Sequence, residues 1–562
     1  MSRARYIGNS LRGGAILLAA LVVGTLTSGC ASKEPETPGG PPVMRRLTEA
    51  QYRNTIRDVF GPGINTVARF DPISREEGLI AVGAAAASIT PSAYERYAAL
   101  AQLIAGQVVS PANRDYLLPC APATQTAADE ACAREAIGKI GRLLYRRKLT
   151  VNEEARLVQV ANEGAASLDD FYQGLGYSIA AMLQSPMFMF ISDTVEVDPA
   201  RPGTQRLTAY AKASRLSFLL WNSTPDDALL AAAESGALHD KKEYEAQVDR
   251  MLLSHRVEDS VRAFFTDMLA LDGFDTLSKD SVIYPAFVMA TMEDSREQVL
   301  RLVVSELLEK KAGYPSLFTT RHTFMSGPLG MVYQLPVGNP NGWVPYEFSE
   351  ADKRRGLLGH VGFLALHAHA GKSSPTIRGR AVRELLMCQR VPDPPSNVDF
   401  SDFNSASASP MNTARERLHI HNSEPSCAGC HALVDPIGLT LESFDGAGQW
   451  RTMEGGQLID TSGELDGVEY ADSTGLAEAV ANNPAVTACL VRRLYAYSTG
   501  RAPARSDLAA LEYLRTRFED DGFRFPDLLR TLATSNAFIA VKAATSSAND
   551  ESELTAVLTA NP

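Results

Sequence analysis

Cys427-Ala428-Gly429-Cys430-His431 puts two thiols three positions apart and an imidazole directly behind the second. Residues at i and i+3 share one side of a helical turn, whereas in a strand they face opposite ways. The stretch therefore calls for a helix. With seven Cys and nine His in 562 residues, a chance Cys-x-x-Cys-His is an event on the order of one in a thousand. Two thiols so placed can add to the two vinyl groups of one haem, and the histidine that follows can take the iron. In this reading Cys427 and Cys430 carry one covalent haem c and His431 is the proximal iron ligand. Zinc is the chemical rival, with Cys427, Cys430, His431 and either His421 or His419 as ligands. Adjacent Cys430 and His431 suit a single tetrahedral ion badly, which favours haem.

The start of the chain agrees on compartment. Arg3, Arg5 and Arg12 precede an apolar stretch from Ala15 to Leu26, and Ser28-Gly29-Cys30 follows. This reads as a signal peptide, too short and wrongly flanked for a membrane span. Its end resembles a bacterial lipobox, with Cys30 the lipidated residue and Thr27 standing where leucine is usual. The expectation is a lipoprotein of a Gram-negative bacterium, periplasmic or at the outer membrane, held to the membrane surface through Cys30. Ala31 and Ser32 bring no Asp, which points to outer-membrane sorting. The formal charge is −12, and loss of the leader removes three arginines and no acid. Such a chain carries no nucleic-acid footprint.

Cys30, Cys427 and Cys430 leave Cys120, Cys132, Cys388 and Cys489, an even remainder that suggests disulfides in an oxidising compartment. Three pairings are open. Cys120–Cys132 and Cys388–Cys489 are expected, against the alternative of buried thiols.

The periodicity is helical. "LTEAQYRNTIRDVFG" has Thr48 as N-cap, Gln51 at the capping-box position and Gly61 as a stop. Thr90 with Pro91, Thr150 with Glu153, and Thr224 with Pro225 repeat the device. Leu508, Leu511, Leu514 and Phe518 line one further face. Asp226/Asp227 and Glu153/Glu154 read as helix-start charges rather than catalytic pairs. One small hairpin is expected near "GQLIDTSGELDGVEY". Two pairs of segments echo one another, "RLTEAQY" with "RLTAYAKASRL" and "LQSPMFMF" with "LATSNAFI", but no fixed period joins them.

In order along the chain, "RRLTEAQYRNTIRDVFG", "CAREAIGKIGRLLYRRKLTVNEEARL", "YAKASRLSFLLWNSTPDDALLAAAESGAL", "RRGLLGHVGFLALHAHAGKSSPTIRGRAVRELLMCQRVPDPPSNV" with "RERLHIHNSEPSCAGCHALVDPIGLTLESFDGAGQWR", and "CLVRRLYAYSTGR" carry a resemblance. The chain resembles the multidomain cytochrome-c-like lipoproteins of planctomycetes and myxobacteria, whose domains have only serial numbers for names. The resemblance implies a secreted or lipid-anchored haem protein and supplies no substrate. With the composition shifts it suggests a mainly α chain of helical domains in series. These are a leader over 1–29, a flexible tether over 30–42, helical domains over 43–110, 111–197 and 205–336, a cytochrome-c-like haem domain over 350–460, a C-terminal helical domain over 465–542, and a disordered tail over 543–562.

A six-coordinate haem needs a second axial ligand. The candidates for it, or for the haem pocket, are His421, Met453 and His369, in that order. His360 and His367, seven apart, are expected on one helical face. Asp435-Pro436 and Gly438 suit a turn. Leu439, Leu441 and Phe444 are candidates to wall the haem, Trp450 to pack on it, and Arg451, Arg378 and Arg380 to pair with its propionates. Three functions remain. The favoured one is electron transfer with a redox protein partner. The others are a peroxidase- or oxygenase-like haem enzyme, and a structural or binding lipoprotein with a haem or zinc module. No nucleophile triad, phosphate loop or dinucleotide fingerprint accompanies the motif.

Overall fold

The computed structural model describes residues 33–393, 413–421 and 425–542. Cys30, the leader and the tail beyond 542 lie outside the described residues. The chain is 57% helical, and its sheets among the described residues are five separate two-stranded antiparallel ladders, so it is mainly α.

Local signals set many helix ends. Thr48 and Gln51 form a reciprocal capping box at the head of Glu49–Phe60, and Gly61 closes that helix with φ 87°. Thr90 accepts from Ala93 N ahead of Pro91–Val108, and Thr150 with Glu153 caps Val151–Leu168. The cap expected at Thr224 lies two residues later. Asp226 accepts from Leu229 N at the head of Asp227–Glu234, while the Thr224 hydroxyl donates to Leu143 O at 2.7 Å. Of the face expected over 508–518, Leu514 and Phe518 are buried, but Leu508 is 57% exposed and Ala510 is buried in its stead.

The internal echoes are repeated devices. Met44–Arg46 and Gln205–Leu207 are short strands, each running into a threonine-capped helix. Phe171–Gln184 and Phe525–Thr534 each end at a serine that caps a four-residue helix, Pro186–Met189 and Asn536–Ile539.

The ladders tie distant segments. Met44–Arg46 pairs with Phe190–Ser192, which closes a core formed by Tyr52, Ile104, Ile137, Ile179 and Leu183. Val195–Val197 and Gln205–Leu207 flank the turn at 198–204. His322–Met325 pairs with Val344–Glu347, so the proline- and glycine-rich stretch at 337–352 contains a strand. Instead of one hairpin near 457–470 there are two, Met453–Glu454 with Gln457–Leu458 and Gly463–Leu465 with Val468–Tyr470.

A larger core takes Leu216, Phe264 and Val299, then Leu364, Leu386, Ile437 and Leu441, then Leu494, Leu529 and Phe538. The segment that holds the Cys-x-x-Cys-His motif thus shares one apolar interior with the helices before and after it. Disulfides join Cys120 to Cys132 and Cys388 to Cys489. The second links the end of the Val382–Leu386 turn to the long Pro484–Thr499 helix. Near the two ends of the described chain, Gly40 bridges Val541, Lys542 N donates to Gly40 O at 2.8 Å, and Glu34 accepts from Asn536.

Candidate functional site

The motif sits on the helix Pro425–Leu439. Cys427 and Cys430 are partly exposed on it and stand outside both disulfides. The helix also contains Asp435 and Pro436, so the expected turn is corrected to helix. A proline inside a helix removes one backbone bond and costs roughly 3 kcal/mol in isolation. Packing offsets that here. A Cβ at Gly438 would collide with the Pro375 carbonyl, and one at Gly379 with the Val434 carbonyl. Only glycine at both positions lets the motif helix and the Pro375–Ala381 helix meet backbone to backbone.

This close approach builds the environment of His431. Its Nδ1 lies 2.8 Å from Asp435 Oδ2, one helical turn on. Asp435 is 1% exposed, and its Oδ1 accepts from the Thr376 hydroxyl at 2.8 Å across the helix pair. With Nδ1 directed at a carboxylate, Nε2 is the ring nitrogen suited to a ligand. The role of Asp435 was missed when its neighbour Pro436 suggested a turn. The signal available was the i,i+4 spacing from His431.

After the motif helix a 3-10 turn, Thr440–Ser443, leads into a loop that reverses at Gly448 and returns through Trp450. Leu441 and Phe444 are buried in the larger core, and Leu439 is also buried. Arg378 is corrected as a propionate partner. Its side chain is 0% exposed. Nη1 donates to Leu441 O at 2.8 Å and Phe444 O at 2.7 Å, and Nη2 to Leu364 O at 3.2 Å and to Asp445 O. Burial lowers its pKa to about 10. Arg378 is the post around which this loop turns. Glu442, also fully buried, is pushed up by desolvation and held down in part by Arg378 and Arg451. Arg451 pairs with Glu442 at 2.8 Å and donates to Ser373 at 3.0 Å, and Arg380 pairs with Glu384 and Asp393.

Trp450 is 39% exposed, with its ring edge-on to Phe444 at 5.2 Å. Met453 is 46% exposed on the first hairpin. That hairpin is fastened to the helix Ala414–His421: Glu454 accepts from Ala414 N at 2.7 Å and pairs with Arg417 at 2.8 Å. His421 ends that helix, and its side chain lies outside the described residues. His369 is exposed, and its carbonyl accepts from the buried Lys279 at 2.9 Å. Burial, then Arg378, lowers the Lys279 ammonium to about 8. Motif helix, Met453 hairpin and the His421 helix are thus neighbours.

His360 and His367 do not share a helical face. They cap the two ends of the short helix Val361–Leu366. His360 is 1% exposed. Burial, then the Arg354 charge, lowers its pKa from 6.5 to about 3. The unfolded chain therefore takes up this proton first, and stability is lost as pH falls from 6.5 toward 3. Each pH unit costs up to roughly 1.4 kcal/mol. Urea midpoints at pH 7, 5 and 4 will fall in that order, and His360→Gln will flatten the trend. An equal slope in the variant would rule His360 out as the source.

Among the described residues no three His, Cys, Asp or Glu side chains converge as for a metal ion. None of the described helices is long and apolar enough to cross a membrane.

Five families match the chain in series, each described as a protein of unknown function: DUF1587 over 45–110, DUF1595 over 132–193, DUF1592 over 207–335, DUF1588 over 354–454 and DUF1585 over 466–538. No curated protein and no solved structure matches it. The matches follow the order of the segments that carry the resemblance, and the motif helix with its supporting loop falls inside the fourth. The chain belongs to the multidomain proteins built from this five-member series.

Proposed function

We propose that the protein is an extracytoplasmic monohaem c-type cytochrome, anchored to a membrane through Cys30, that exchanges electrons with a partner oxidoreductase. The observation that carries the reading is a Cys-x-x-Cys-His motif whose histidine is held through Nδ1 by a buried carboxylate 2.8 Å away. The donor set fits haem. Cys427 and Cys430 would form the thioether bonds and His431 Nε2 would ligate iron, while bound haem would supply a one-electron couple. His421, Met453 and His369 would be the candidates for a second protein ligand, and Trp450 and Arg451 for contact with the haem edge. Two disulfides suit an exported, oxidised protein. The acidic chain favours a partner with a basic docking face.

The test is a reduced pyridine haemochrome spectrum of the protein, produced in a host with haem-attachment machinery and then denatured. A c-type spectrum that stays with the chain is expected, and Cys427→Ala/Cys430→Ala will abolish it. A low-spin native spectrum is expected of an electron carrier. A high-spin site that reacts with peroxide would replace electron transfer by haem enzyme chemistry. Stoichiometric zinc and no haem would overturn the cytochrome reading.

A further inference from the structure

Asp435 is more than a neighbour of the motif. Both of its oxygens are engaged, Oδ2 with His431 and Oδ1 with Thr376, each at 2.8 Å. Solvent is nearly excluded, since Asp435 is 1% exposed. The two helices that bring Thr376 and His431 to it are locked at Gly379 and Gly438, where no side chain fits. Such a triad has little freedom to relax. A carboxylate that accepts the Nδ1 proton of an iron-bound imidazole makes the ring a stronger donor. Stronger donation stabilises ferric iron over ferrous, and low exposure keeps water from screening the charge.

We propose that Asp435, held in place by Thr376, is a positioning residue that lowers the reduction potential of haem bound at His431. The inference rests on the haem reading above and deepens it. It makes haem held at His431 a weaker oxidant than the same haem without the carboxylate. Asp435 acts through His431 and touches no reacting atom.

The variants are Asp435→Asn, which keeps size and an acceptor oxygen but removes the charge, and Thr376→Val, which leaves the charge and removes its holder. Haem content is read first by pyridine haemochrome, then the midpoint potential by spectroelectrochemistry, with the NMR shifts of the ferric His431 ring protons alongside. Asp435→Asn is expected to retain haem and to shift the reduction equilibrium at least tenfold toward ferrous, which is 59 mV for one electron. Thr376→Val is expected to move the potential the same way by less, and both variants to displace the ring protons. Haem-loaded variants with the parent's potential and ring shifts would overturn the inference. If Asp435→Asn fails to fold, an unchanged potential in Thr376→Val overturns it. A parent protein without haem would instead overturn the reading on which the inference stands.

Discussion

Arg378→Ala is expected to destabilise the segment that holds the motif by about 3–5 kcal/mol, the range for removing one partner from a buried charged network. The guanidinium serves the carbonyls of Leu364, Leu441, Phe444 and Asp445 at once. Its removal leaves these acceptors buried without their donor, weakens the countercharge on Glu442, and opens a cavity where a side chain was 0% exposed. Arg378→Lys should recover only part of the loss, since an ammonium cannot span the carbonyls that a planar fork reaches. Guanidinium unfolding followed by near-UV circular dichroism checks both variants. A loss below roughly 1 kcal/mol would mean that water replaces the guanidinium at no great cost.

Removal of the Cys388–Cys489 bridge should cost about as much. It closes a loop with a sequence separation of 101 residues, for which chain entropy alone predicts about 4–5 kcal/mol. Cys120–Cys132 spans 12 and should contribute about 3 kcal/mol on the same account. Urea midpoints of Cys388→Ser/Cys489→Ser and Cys120→Ser/Cys132→Ser are therefore expected to fall in that order. The reverse order would show that native contacts, rather than loop closure, govern the effect. The long bridge also binds the motif segment to the C-terminal helices, so its loss should broaden the unfolding transition as these parts uncouple.

What was legible in the sequence was what local chemistry decides. Thr48 with Gln51 and Thr150 with Glu153 satisfy orphan amides within a single turn, so no distant residue is needed to predict them. The helix under Cys427, Cys430 and His431 was legible because their spacing fits a single turn. The pairing of Cys388 with Cys489 was one of three choices until the fold brought the two together. Thr224 looked like a cap and is not one, because Leu143, from another segment, takes its hydroxyl. Pro436 looked like a helix stop, yet the helix continues, because Gly379 and Gly438 let a second helix pack directly on its backbone. Arg378 read as a partner for haem propionates, since nothing nearby in sequence shows that a loop more than 60 residues later will wrap around it. In each case a long-range partner overrode a short-range preference.

The bridge between Gly40 and Val541 makes the described chain a ring in all but covalent bonds. Whatever holds Gly40 also holds Val541 beside it, so labels placed at these two positions report from the same spot. Traction between the two ends would part this seam before it reached the interior. A permuted chain, joined across the seam by a short linker and opened at the exposed turn near Gly203, should keep the same arrangement of helices.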